Sequence, residues 1–167
     1  MGNFFTDVIT LDPRFATTSI VNDIELLEPV TRAAVQAIIA DAAAQGIHLI
    51  AFETYRSQQR QQMLHDTGKS QLRSVGVHHY GLACDLVKVV DGKPTWDGDY
   101  SFLGRLAKAH GLIWGGDWGD PTVHHSFIDS DHVQRVSVAQ QTDLFAGTFY
   151  PDAPPVPDES ASTTTAV

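Results

Sequence analysis

An α+β domain, with helices packed outside a small and mostly antiparallel sheet, is what this sequence predicts, and three observations predict it. Residues 29–46, PVTRAAVQAIIADAAAQG, carry an amphipathic helical period between a proline and a glycine. Residues 83–90, ACDLVKVV, alternate as a strand does, with Ala83, Asp85 and Val87 on one face. Short apolar runs at 47–54, 112–118 and 132–138 supply the further strands.

The 167-residue chain is 43% hydrophobic and 19% charged, enough apolar content for one globular core. Its formal charge of −9 lacks the basic footprint of a nucleic-acid binder. No apolar run reaches the length of a membrane span, and the opening MGNFFTDVIT lacks the charged-then-apolar layout of a signal peptide. The expectation is a monomer made in the cytoplasm, with no membrane insertion. The single cysteine, Cys84, excludes an internal disulfide and a cysteine-rich zinc finger. As the neighbour of Asp85 on a strand, it points to the opposite face, into the core.

Taken in order, residues 1–28 hold apolar clusters (Phe4, Phe5, Ile20, Val21, Leu26 and Leu27) that read as an N-terminal wrap. Pro29 opens the long helix, whose stripe is Val35, Ile38, Ile39 and Ala42, and Gly46 lies just past its end. Ile47–Thr54 is short and apolar enough for a buried strand, and it delivers Tyr55-Arg56-Ser57. Ser57 N-caps a helix that runs to Gly68. A polar loop, Lys69–Val77, then leads to His78 and the alternating strand.

Asp91-Gly92-Lys93-Pro94 is turn chemistry for a surface hairpin or excursion. Tyr100–His110 reads as a helix with Phe102, Leu103, Leu106 and Ala107 inward, capped by Asp99 and stopped by Gly111. Leu112–Trp118 is a short strand breaking into a glycine-rich loop, 119–131 is irregular, and His132–Val138 returns to strand-like alternation. From Tyr150 the composition turns to proline, serine and threonine. The domain is therefore expected over 1–149, with 150–167 a disordered tail.

Six of the eight histidines lie between positions 78 and 132. His78 and Asp85 stand seven residues apart with Gly81 between them. On a continuous helix that separation is about 10 Å, too far for both to reach one ion. If both bind one metal the chain has to turn, and Gly81 permits it. A catalytic zinc takes three protein ligands and leaves a position for water. His132 is the favoured third, because Asp129 precedes it by three, a spacing that puts a carboxylate beside that water.

His79 faces away from His78 in an extended chain, and His124 and His125 have no matching carboxylate. Spacing alone leaves a second reading open, in which these side chains are separately hydrogen-bonded or exposed. Trp114 and Trp118 likewise read either as loop anchors or as walls of a groove. Glu53 reads as strand-end structure and Asp117 as a loop hydrogen-bonder.

Four stretches stand in order along the chain: Y-R-S at Tyr55–Ser57 with Gln61 after it, H-x-x-G-x-A-x-D at His78–Asp85, W-G-G-D-W at Trp114–Trp118 and D-x-x-H-x-Q at Asp129–Gln134. This ordered set resembles the zinc peptidases that cut bacterial cell-wall peptides. They include D,D-carboxypeptidases, D-Ala-D-Ala dipeptidases and the L-alanyl-D-glutamate endopeptidases of phage endolysins. The resemblance covers about residues 20–140. It implies a zinc cleft across the sheet, with His78, Asp85 and His132 as zinc ligands and Asp129 as general base. It also implies Arg56 in the cleft, binding substrate or offsetting developing negative charge; Gln61, Trp114 and Trp118 are candidate substrate contacts.

The chain departs from the family pattern at Gly76, where a serine is usual, and at Asp131 and Val133, where proline and phenylalanine flank the last histidine. The ligands stay intact. The changes bear on local hydrogen bonding and substrate preference, and an Asp131 charge near zinc raises the pKa of its water.

The resemblance implies peptidoglycan as the partner and an endolysin cutting between L-Ala and D-Glu, since an enzyme without an export signal accumulates until the membrane is breached. The alternatives are a D-Ala-D-Ala carboxypeptidase or dipeptidase, and a non-catalytic zinc-binding recognition module.

Overall fold

The computed structural model describes residues 2–70, 74–118 and 128–151. Among them the elements run α1 (Phe4–Asp7), α2 (Pro29–Ala44), β1 (Leu49–Glu53), α3 (Gln58–Asp66), β2 (Ala83–Val90), β3 (Lys93–Thr95), α4 (Ser101–Ala109), β4 (Ile113–Trp114), β5 (His132–Gln134) and α5 (Val138–Phe145). This is the α+β architecture expected, and every strand pair in it is antiparallel. β2 is the central strand. β1 pairs along one edge, while β5 and β3 share the other edge end to end, with β4 outside β5.

Period-two alternation sorts the sheet into two faces. Cys84, Leu86 and Val133 turn to the main core, against Val35, Ile38 and Ala42 of α2 and Leu103, Leu106 and Ala107 of α4. Burying each large apolar side chain there stabilises the fold by roughly 1.5–3 kcal/mol. Asp85 and its cross-strand partner His132 face the other way.

Residues at the helix ends account for the rest of the frame. Pro29 opens α2, but the cap is Glu28, whose carboxylate accepts the N–H groups of Val30 and Thr31, both at 3.0 Å. Glu28 also pairs with Arg135 Nη1 at 2.9 Å, tying the start of α2 to the residue after β5. Ser57 caps α3 as expected, accepting the Arg60 N–H at 2.9 Å. Asp91 and Gly92 join β2 to β3 with φ of 51° and 75°, the two left-handed positions of a type I′ hairpin turn.

The N-terminal wrap packs Val21 and Leu26 with Ile9 and Tyr55, whereas Ile20 is 47% exposed and stands outside that packing. Carbonyls of the wrap accept the hydroxyls of Thr54, Tyr55 and Ser57, at Val21 and Asp23, Phe15 and Thr17 respectively. The wrap thereby clamps the segment that carries Arg56.

One expectation is corrected. The strand-like run at 132–138 ends at Gln134, and Ser137 instead caps α5. The pattern Ser137-x-x-Gln140 forms a reciprocal capping box, and those local hydrogen bonds outweigh the apolar alternation. The Tyr150 hydroxyl donates to the Tyr80 carbonyl at 2.9 Å. Residues 152–167 of the expected tail lie outside the described residues. No described helix is long and apolar enough to cross a membrane.

Candidate metal centre

Strand pairing places the first two members of the site. Asp85 on β2 and His132 on β5 are directly opposed, so their side chains leave the sheet on the same face. His78 arrives by the turn the sequence called for. A short 3-10 turn, Val77–Tyr80, ends at Gly81 with φ 71°, and the chain reverses into β2. A Cβ on Gly81 would lie 2.7 Å from both Ile9 Cδ1 and the Leu26 carbonyl oxygen, so the position demands glycine for space as well as for conformation.

The three side chains converge on one point. His78 Nε2 and His132 Nδ1 each lie 3.1 Å from the same oxygen, Asp85 Oδ1, and all three residues are buried. The far side of each ring decides which nitrogen carries a proton. His78 Nδ1 is 2.9 Å from the Thr54 carbonyl, which only accepts, so Nδ1 is the donor. Gln134 donates its amide to the Val136 carbonyl at 2.6 Å, which turns its Oε1 toward His132 Nε2 at 2.9 Å. In neutral rings the inward atoms, His78 Nε2 and His132 Nδ1, then bear lone pairs. Two lone pairs facing a carboxylate oxygen call for a cation between them.

The cluster also concentrates charge. Burial by itself would raise the Asp85 carboxyl, but the adjoining imidazoles hold it well below the usual carboxylate range. Burial disfavours a charged His132 ring, and the Asp85 carboxylate outweighs it, so the ring sits above its ordinary value. Asp129 and Asp131 bring two more carboxylates within 4.8 Å of Asp85. Burial, with Asp85 and Asp129 nearby, pushes Asp131 up to about 8. Two imidazoles, one carboxylate and a surplus of negative charge fit a divalent metal ion.

A cavity of about 480 Å³ opens over the cluster. Asp129 lines it, with Oδ2 4.0 Å from His132 Nδ1, at the edge of the ligand group but outside it. Its loop comes this close because Gly115 has no side chain: a Cβ there would sit 2.3 Å from the Asp129 carbonyl oxygen. Trp118 also lines the cavity, its ring centroid 5.0 Å from that of His132. Trp114 does not. Its indole lies against Gly104 and Gly116 and donates to the Ser130 carbonyl at 2.7 Å, so it anchors the loop that carries Asp129.

Arg56 and Gln61 both line the cavity. Arg56 Nη2 lies 3.4 Å from Asp85 Oδ2, and Nη1 donates to Gln61 Oε1 at 3.2 Å. Glu53 is more than strand-end structure. It receives Arg56 at 3.1 and 2.8 Å and Arg60 at 2.6 Å, and these two arginines offset its burial and hold its carboxyl below the ordinary value. A fork gripped on both prongs keeps the guanidinium pointing at Asp85.

Among the described residues, no other histidine joins this ligand group. His79 packs among Phe5, Phe15, Tyr55 and Tyr80, facing away from His78 as expected. His124 and His125 lie outside the described residues. Asp117 pairs with Lys108 on the surface at 2.9 Å.

Sequence reasoning left Gln134, Glu53 and Trp96 without a role at the site. The D-x-x-H-x-Q spacing was the available signal for the first. Gln134 holds the His132 tautomer, and replacing it with alanine is expected to weaken metal affinity about 10–100-fold. Competition against a chromogenic chelator checks this, and unchanged affinity would remove Gln134 from the site.

Three comparisons bear on this geometry. Residues 67–135 match a family model described as D-alanyl-D-alanine carboxypeptidase. The peptidoglycan L-alanyl-D-glutamate endopeptidase CwlK of Bacillus subtilis is 30% identical over 129 residues, covering 66% of this chain and 74% of the relative. An L-alanyl-D-glutamate peptidase of a Listeria phage is 31% identical over 120 residues, 69% of this chain, and the chain spans only 40% of that relative. Among solved structures, the vancomycin-resistance D,D-pentapeptidase VanY, in complex with Zn(II), matches at a TM-score of 0.51 and 19% identity. That match covers 72% of this chain and 78% of that one, a likeness of fold.

Proposed function

Because the chain belongs to the peptidase family that joins D-alanyl-D-alanine carboxypeptidases with peptidoglycan L-alanyl-D-glutamate endopeptidases, we propose that it cuts the L-alanyl-D-glutamate bond of cell-wall stem peptides, as a zinc-dependent endolysin. The observation that carries this reading is the convergence of His78 Nε2 and His132 Nδ1 on one oxygen of Asp85, beside an open cavity that also holds Asp129. The choice of bond rests on the two curated relatives, both named for it.

His78, Asp85 and His132 would hold the ion. When bound, zinc supplies Lewis acidity, polarising a carbonyl and lowering the pKa of water. The chain's own groups do the rest. Asp129, at the rim of the ligand group, takes the proton of the attacking water and returns it to the departing amine. Arg56 sets its positive charge beside the site, where the oxyanion of the tetrahedral intermediate forms. Trp118 shields one flank from bulk water. A recognition module without catalysis has no use for a carboxylate at Asp129's position.

The family-model match favours a second reading, removal of a terminal D-Ala. Mass spectrometry of digested peptidoglycan separates the two. The expected products carry a new N-terminal D-glutamyl residue, vanish with a chelator and return with zinc. Released D-Ala without such fragments would assign the second bond instead.

A further inference from the structure

We infer that Trp96 is the platform on which the muramyl sugar of the substrate rests, an inference that stands on the L-alanyl-D-glutamate reading above. In that substrate the alanine whose carbonyl is attacked is joined through its nitrogen to the lactyl ether of a muramyl ring. Only this short link separates the sugar from the scissile bond. A cleft that brings the carbonyl to His78, Asp85 and His132 therefore has to seat a pyranose on a neighbouring wall.

The cavity has two different walls, and β2 sets their order. Along β2 the cross-strand pairs run Ala83 with Gln134, Asp85 with His132, then Lys88 with Thr95. α5 follows Gln134 at one end and Trp96 follows Thr95 at the other, so the metal cluster lies between them. Val138 and Phe145 of α5 line the cavity, as do Leu64 of α3 and Lys69 just after it. A lysine cation suits the carboxylates that begin at the D-glutamyl residue. The opposite wall offers Phe52, Trp96 and Asp131.

Trp96 is 51% exposed, yet its ring is held by two contacts. It meets Phe52 edge-on, with centroids 5.0 Å apart and planes at 86°. Its Nε1 donates to Asp131 Oδ2 at 2.9 Å. An exposed indole held this way presents a rigid, amphipathic face at little entropic cost. The C–H face of a pyranose packs on such a ring, and its hydroxyls remain in water.

The test uses the full chain loaded with zinc and two substrates, an L-alanyl-D-glutamyl stem peptide and the same peptide on its muramyl sugar. The readout is the ratio of their kcat/KM values. The native chain is expected to prefer the sugar-bearing substrate, Trp96→Ala to cut that preference about fivefold, and Trp96→Phe to keep most of it. A ratio unchanged in Trp96→Ala, or no preference in the native chain, would overturn the sugar platform. If the alanine and phenylalanine variants lose the same activity on both substrates, Trp96 serves only to hold Asp131, and the platform is again overturned. Failure of the native chain to release a D-glutamyl N-terminus from either substrate would instead overturn the bond assignment, and the platform with it.

Discussion

Replacing His78 with alanine is expected to strip the metal from this protein and take hydrolysis below detection. Structural zinc sites in proteins are worth about 10–16 kcal/mol, so by that scale one of three protein ligands carries roughly 3–5 kcal/mol, on the order of a thousandfold in affinity. The loss is selective because the turn that presents His78 rests on Gly81 and on the packing of Val77, Tyr80 and Leu82 rather than on the ring itself. Elemental analysis after dialysis, alongside the far-ultraviolet circular dichroism spectrum, measures both halves of the statement. A folded variant that keeps one equivalent of metal would show that the two histidines and Asp85 are a hydrogen-bonded cluster and not a ligand set.

Asp129 should behave in the opposite way. Its carboxylate is 4.0 Å from the inward nitrogen of His132 and is a third exposed, a position for moving protons rather than for holding the ion. Changing it to alanine is expected to lower kcat about 10²–10⁴-fold with metal content unchanged. Asparagine, which keeps the shape but accepts no proton, should be nearly as slow. Single-turnover rates on a defined stem peptide, with metal content measured on the same samples, make the comparison. A normal rate in either variant would assign the proton transfer to another group. Asp131 would be the first to examine, since it lines the same cavity and is pushed up to about 8 by burial and its carboxylate neighbours.

These two substitutions separate binding from chemistry because the fold supplies the two residues by different means. His78 is held by the Thr54 carbonyl, which the N-terminal wrap itself fixes through the Thr54 hydroxyl and N–H. Asp129 is held by a loop pressed onto Gly115 and anchored by the Trp114 indole. Gly115 and Trp114 of W-G-G-D-W thus act on Asp129 through backbone placement.

The amino-acid sequence by itself determined what is local or periodic. Alternation set β2 to the residue, Pro29 and Gly46 bracketed α2, and Gly81 between His78 and Asp85 forecast the reversal. Cys84 followed from Asp85 by the pleat of one strand. Local signals also misled where two competed: residues 132–138 alternate, yet the capping box at Ser137 starts a helix. Only the tertiary structure decided how distant groups meet. Register between β2 and β5 put His132 opposite Asp85, and the hydrogen bonds of Thr54 and Gln134 chose which ring nitrogens face inward. Arg56 reached Asp85, and Trp96 reached Phe52 and Asp131, through contacts between segments far apart in sequence. A residue's period along the chain says which face it occupies, but its partner across the sheet depends on register and loop closure, which arise only when the whole chain packs.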